Sequence, residues 1–99
     1  MDKVVRDGKV AVLYSPGYGA GWSTWNDCPV SMVFDPKTVE WVENGKVGEC
    51  PYKHIRYRYP DGDYQLEIAW LPIGTVFEIE EYDGSENVRI IDNASFLVA

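Results

Sequence analysis

Three glycines at alternate positions, Gly17, Gly19 and Gly21, follow a strand-like stretch, and Trp22-Ser23-Thr24-Trp25-Asn26-Asp27 come directly after them. Glycine lets backbone N–H groups approach an anion closely, which is how phosphate-binding loops work. Aromatic faces such as those of Tyr18, Trp22 and Trp25 stack on purine rings, while Ser23, Thr24, Asn26 and Asp27 can bond sugar hydroxyls and base edges. Two familiar phosphate loops do not fit. A dinucleotide fingerprint needs G-x-G-x-x-G opening a helix, and a P-loop needs Gly-Lys-Ser/Thr; here Gly21 runs into Trp22 and no Lys is near. The simpler alternative is a Gly-rich connection packed by its own indoles, with one or both tryptophans in the core. Three Gly, two Trp and four polar groups in one loop favour a ligand site.

A second cluster is basic and aromatic. Lys53, His54, Arg56 and Arg58 lie within six positions and alternate with Tyr57 and Tyr59, with Tyr52 just ahead. On a strand, His54, Arg56 and Arg58 would share one face. Arg clamps phosphate through two parallel N–H groups and Tyr stacks on a base. The competing reading is a surface segment that balances nearby acids.

Other chemistries find little support. Glu78, Glu80, Glu81, Asp83 and Glu86 form an acidic run, read here as a solvated strand face whose alternate Glu residues protect an edge. Paired carboxylates can run acid–base catalysis, but nothing beside them resembles a cleft. One histidine, His54, leaves no triad or zinc set to build, so no catalytic residue, metal or cofactor is expected. Cys28 and Cys50 form no C-x-x-C pair and read as free thiols in a reducing compartment, with a disulfide left open.

These residues need elements to position them. Residues 3–7 and 9–14 read as a hairpin about Asp7-Gly8, which suits positive φ. Val10 and Val12 fall on one face and Ala11 and Leu13 on the other, so the second strand should be central and covered on both sides. Ser15 to Pro29 has no period and reads as a long loop; two tryptophans argue against disorder. Val30 to Phe34 reads as a short strand or extended lead-in. The clearest helix spans 36–44: Asp35 caps it, Pro36 sits at N1, Phe34 and Val39 form a staple, and Asn44-Gly45 end it. Residues 46–64 are a strand or short helix, closed by Pro60-Asp61-Gly62. Leu66, Ile68 and Trp70 alternate as a half-buried strand. Pro72 to Thr75 turn the chain, Phe77 and Ile79 mark another strand, and Asp83-Gly84-Ser85 turn it again. Asn87–Ile91 and Ser95–Val98 read as the last strands.

Composition agrees. Twelve Val and six Ile against four Leu and five Ala favour strands. The 99 residues suit a single domain over 1–99. The fold class expected is α+β: a mixed or antiparallel sheet of about five or six strands, one short helix and a long Gly/Trp-rich loop. No run of 18 apolar residues would span a membrane, and no apolar stretch behind Met1-Asp2-Lys3 suggests a signal peptide. The formal charge of −7 repels nucleic-acid polymers and anionic membranes. An acidic coat around one small basic, aromatic patch could still clamp a small phosphate ligand at short range.

Three blocks resemble a widespread family of small proteins encoded by bacteriophages. They are Gly17-Tyr18-Gly19-Ala20-Gly21-Trp22-Ser23-Thr24-Trp25-Asn26; Phe34-Asp35 with the helix to Asn44-Gly45; and Trp70-Leu71-Pro72-Ile73-Gly74-Thr75 with Phe77-Glu78-Ile79 and Glu81-Tyr82-Asp83-Gly84. In size and style the chain is similar to nucleotide sponges, which bind the cyclic or ADP-ribose-derived signals of bacterial immunity, such as those of Thoeris or CBASS. The resemblance implies a non-catalytic anti-defence protein in the cytoplasm of an infected bacterial host, with a small nucleotide-like ligand as partner. The resemblance does not extend to Lys46–Tyr64, so Arg56 and Arg58 rest on their chemistry alone. A homo-oligomer would help enclose a ligand, since one short chain offers little concave volume. The alternative is an acidic inhibitor that occupies a basic cleft of a host protein, as nucleic-acid mimics do. A small nucleotide hydrolase is a third reading.

Overall fold

The structure is a computed structural model that describes residues 3–16, 22–24, 30–48, 51, 66–83, 85–91 and 97–98. The first hairpin forms where Asp7-Gly8 place it. Strand β1 (Val5–Arg6) pairs antiparallel with β2 (Lys9–Tyr14), with Arg6 opposite Lys9. Asp7 and Gly8 have φ of 52° and 75°, the two consecutive left-handed residues that a two-residue turn between twisted strands needs. Strand β2 is central, and Val10, Ala11, Val12 and Leu13 are all buried, so both of its faces are covered as their alternation predicts. The covering elements are α1 (Pro36–Glu43), the 3-10 helix Val30–Phe34 and strand β5 (Ser85–Ile90).

Helix α1 starts and stops on the residues that dictate it. The Asp35 carboxylate accepts from the Thr38 amide at 3.2 Å and from the Thr38 hydroxyl, and Pro36 takes the first turn, where its missing N–H is no loss. Phe34 and Val39 are both buried on either side of the cap, as a staple requires. Asn44 closes the helix and Gly45, at φ 85°, turns the chain away. The Asp35→Ala variant is expected to lose about 1 kcal/mol of stability, read as a lower urea midpoint at unchanged slope.

The lead-in Val30–Phe34 is a 3-10 helix, not the expected strand or extended segment. Met32, Val33 and Phe34 are buried in succession. A strand needs cover on both faces to bury successive side chains, as β2 has, whereas a tight turn packed against β2 gathers all three towards the core.

Strand β3 (Glu67–Pro72) pairs antiparallel with β2 from Lys9 opposite Pro72 to Tyr14 opposite Glu67. Strand β4 (Val76–Tyr82) then pairs with β5 and with β6 (Leu97–Val98), both antiparallel. The described strands thus form two three-stranded sheets, in the orders β1-β2-β3 and β5-β4-β6. This confirms the α+β class and corrects the expectation of one larger sheet. The division falls at Pro72 to Thr75. Thr75 ties both its amide and its hydroxyl to Pro72 O, at 3.1 and 2.7 Å, and Ile73 N–H bonds Gly8 O at 3.0 Å. The turn contacts the first hairpin there, and beyond it β4 pairs with β5 and β6 and not with β3.

In the second sheet, Tyr82 lies opposite Ser85, and Asp83, which follows Tyr82, has φ of 51°. Phe77 is fully buried and meets Phe34 edge to face, with centroids 6.1 Å apart. Arg6 clips the first hairpin to α1 through both oxygens of Glu43 and lies over the Trp70 ring. Among the described residues, no helix is long and apolar enough to cross a membrane.

Candidate functional site

The site grows from one carboxylate. Strand β5 turns Glu86, Val88 and Ile90 to the same side as Phe77 and Ile79 of β4. Val88 packs on the core there, and Glu86 is completely buried. The pair Glu81–Glu86 leaves its backbone groups pointing away from its partner strand, because Ile91 N bonds Val76 O and the bonded pairs alternate from there. Glu86 N–H therefore reaches outward and donates to Ser15 O at 2.8 Å, joining the second sheet to the end of β2.

The Glu86 side chain binds both ends of the glycine loop. Its Oε1 accepts from Ser15 N at 2.9 Å, where the loop begins. Its Oε2 accepts from Trp22 N at 3.0 Å, Thr24 N at 2.9 Å, Thr24 Oγ1 at 2.7 Å and Ser23 Oγ at 3.5 Å, just after the last glycine. Ser85 Oγ adds a bond to Pro16 O at 2.6 Å. Every partner of the Glu86 oxygens is a donor, the pattern of an acceptor-only carboxylate. No cation pairs with it among the described residues. Buried charge without a counter-ion is tolerable only when dipoles and hydrogen bonds replace water, and five donors do so here.

This arrangement revises the acidic run. Glu86 belongs to the core and not to a solvated face. The signal lay in the parity of β5: Glu86 shares a face with Val88 and Ile90, and a lone carboxylate on an apolar face must be matched by donors elsewhere. Glu78 and Glu80 do sit on the outer face, where Arg89 contacts them at 2.7 and 3.1 Å. Hydrogen bonding and charge from Glu78, then charge from Glu80, push the Arg89 guanidinium above its ordinary pKa. Glu81 and Asp83 are exposed.

Of the loop residues expected to bind a ligand, three are described. Trp22 is fully buried and packs in the hydrophobic core. Its amide, both donors of Thr24 and the Ser23 hydroxyl are engaged by Glu86. Burial takes the Trp22 ring out of reach of the base it was expected to stack on, and the internal carboxylate engages the Ser23 and Thr24 groups that were expected to bond a ligand's sugar and base edges. Tyr18, Gly19, Gly21, Trp25, Asn26 and Asp27 lie outside the described residues, as do Arg56, Arg58, their neighbours Lys53 and His54, and both cysteines. Among the described residues, no three His, Cys, Asp or Glu side chains converge as a metal set would.

Two further groups at the base of the loop carry expectations. The Ser15 hydroxyl is buried and has no hydrogen-bond partner among the described residues. Ser15→Ala removes a desolvated polar atom and keeps the backbone bonds, so it is expected to be neutral or to stabilise by about 0.5–1 kcal/mol. A loss above about 1 kcal/mol in urea unfolding would show that the hydroxyl has a role. Tyr14, which precedes Ser15, donates its hydroxyl to Glu67 at 3.3 Å. Partial burial first, then the charge and hydrogen bond of Glu67, push its pKa above 10.0. The folded chain then holds this proton more tightly than the unfolded chain does. Its contribution to stability is complete below pH 10.0 and is lost as pH rises through the higher folded value. Wild type should lose stability relative to Tyr14→Phe over that alkaline range, and a difference independent of pH would contradict this.

No protein-family model, no curated protein and no solved structure matches this chain.

Proposed function

We propose that this chain is a non-catalytic binding protein that sequesters a small nucleotide-derived immune signal, of cyclic or ADP-ribose type, for a phage in the cytoplasm of its bacterial host. The observation that carries the reading is the Glu86 anchor. A buried carboxylate holds both ends of the glycine loop, Ser15 on one side and Trp22 to Thr24 on the other. Burying a carboxylate is costly, and here it holds Ser15 and Trp22 to Thr24, the residues that flank the glycines in the sequence. Fixing the ends of a binding segment in advance raises affinity because less disorder is lost on binding. Both Glu86 oxygens are engaged by the loop's flanking residues, and in this reading it serves as an anchor. In this reading the amides of Gly19 and Gly21 with Arg56 and Arg58 hold phosphate. Tyr18 or Trp25 stacks the base, Asn26 and Asp27 bind ribose hydroxyls, and a homo-oligomer encloses the ligand.

The acidic-inhibitor reading needs a continuous carboxylate row. Arg89, set between Glu78 and Glu80, interrupts the row on the outer face of β4, which weighs against mimicry by that face.

The test is incubation of the purified chain with a panel of cyclic dinucleotides and ADP-ribose cyclisation products, then removal of free ligand, heat release and chromatography. Release of an intact compound is the expected result. A chemically changed product would make the chain an enzyme, and retention of none would favour a protein target.

A further inference from the structure

We propose that Trp22, Ser23 and Thr24 form a carboxylate-binding cradle in its own right. Glu86 is its resident occupant, and a free small carboxylate can take its place when that side chain is cut back. The inference holds whatever the glycine loop binds.

Four donors from three consecutive residues converge on the single atom Glu86 Oε2. Two are backbone amides of alternate residues, directed at one point as in the anion-binding concavities that short backbone turns make. Two are hydroxyls, which rotate to suit an acceptor. Ser15 N supplies the donor for the other oxygen. One oxygen of a neutral amide draws fewer and weaker bonds than a charged one, so this donor set selects a carboxylate.

Cradle and occupant are also separable. The donors to Oε2 come from residues 62 to 64 positions away from Glu86 along the chain. They are local to one another, so their geometry is set by a short turn, whereas the carboxylate is delivered by β5. Glu86→Ala removes Cγ, Cδ and the two oxygens, and those are the heavy atoms of acetate. The truncated protein therefore contains a buried, donor-lined void of the size and chemistry of acetate, continuous with the base of the glycine loop.

The experiment is thermal unfolding of the full chain carrying Glu86→Ala, in sodium acetate, in sodium chloride of equal ionic strength and in acetamide. The variant is expected to melt about 10 °C or more below wild type. Acetate should raise its midpoint in a saturating manner and recover at least half of that loss, because a ligand that binds only the folded state stabilises it. Chloride and acetamide should recover little. Acetate no better than chloride, or acetamide equal to acetate, overturns the proposal. If the variant is unfolded without additive, the yield on dilution from urea into the same three solutions decides by the same contrast. Glu86→Gln fills the void, so acetate should act on it no more than chloride does; a rise equal to that of Glu86→Ala would also overturn the proposal.

Discussion

Glu86→Gln is expected to lower the unfolding free energy by about 3 kcal/mol although it changes neither size nor shape. Glutamine offers one carbonyl oxygen and one NH2 group in place of two acceptors. With the oxygen towards Trp22 and Thr24, the NH2 group faces the Ser15 amide, which now donates at 2.9 Å to Oε1. In the flipped orientation it faces the amides of Trp22 and Thr24, which donate at 3.0 and 2.9 Å to Oε2. Either way a buried donor meets a donor, and the remaining bonds lose the assistance of charge. A domain of this size has a total stability of about 5–15 kcal/mol, so the loss is a large share of it. Urea unfolding is the measurement, with a lower midpoint and an unchanged slope. The loop should also loosen: hydrogen exchange at the Trp22 and Thr24 amides should quicken more than at Val12 in the middle of β2. An unfolding free energy within about 0.5 kcal/mol of wild type would remove the carboxylate from its place as the anchor.

Trp22→Ala is expected to cost about 4 kcal/mol, the range for truncating a large buried aromatic side chain. Trp22 is fully buried among the core residues, so the truncation leaves a void of indole size in that core. Trp22→Phe keeps most of the volume and should lose far less. An indole that served only to stack on a ligand would give the opposite pattern, with ligand retention lost and stability kept. Thermal unfolding of the two variants separates these roles. Acrylamide quenching should in addition find a shielded tryptophan in wild type that is missing from Trp22→Phe. A Trp22→Ala protein that melts with wild type would contradict the core placement.

Local rules were readable in the chain wherever one residue type is nearly obligatory. Asp7-Gly8 marked a turn because few residues accept two consecutive positive φ values, and Asp35-Pro36 marked a helix start because a cap and a ring both fit there. The apolar run from Val10 to Leu13 identified a strand covered on both faces. The same rules were weaker at Val30 to Phe34, where β-branched residues favour a strand but the chain forms a 3-10 turn that buries Met32, Val33 and Phe34. The candidate site was legible only in part. The loop itself stood out by its glycines and tryptophans, whereas its anchor was grouped with the acids of the β4–β5 hairpin.

Before any folding, the order of residues had already decided the strands around Val10–Leu13, Ile68–Trp70 and Phe77–Ile79 and where the short helix begins. Those decisions rest on backbone sterics, capping and hydrophobic period, all of which act within a few positions. The division of the strands between two sheets appears only in the tertiary structure, and the role of Glu86 rests on donors 62 or more positions away. A carboxylate shows in the sequence only as a charge. Whether it meets water, a cation or five converging donors is settled when distant segments are brought within about 3 Å, and for Glu86 that environment exists only in the folded chain.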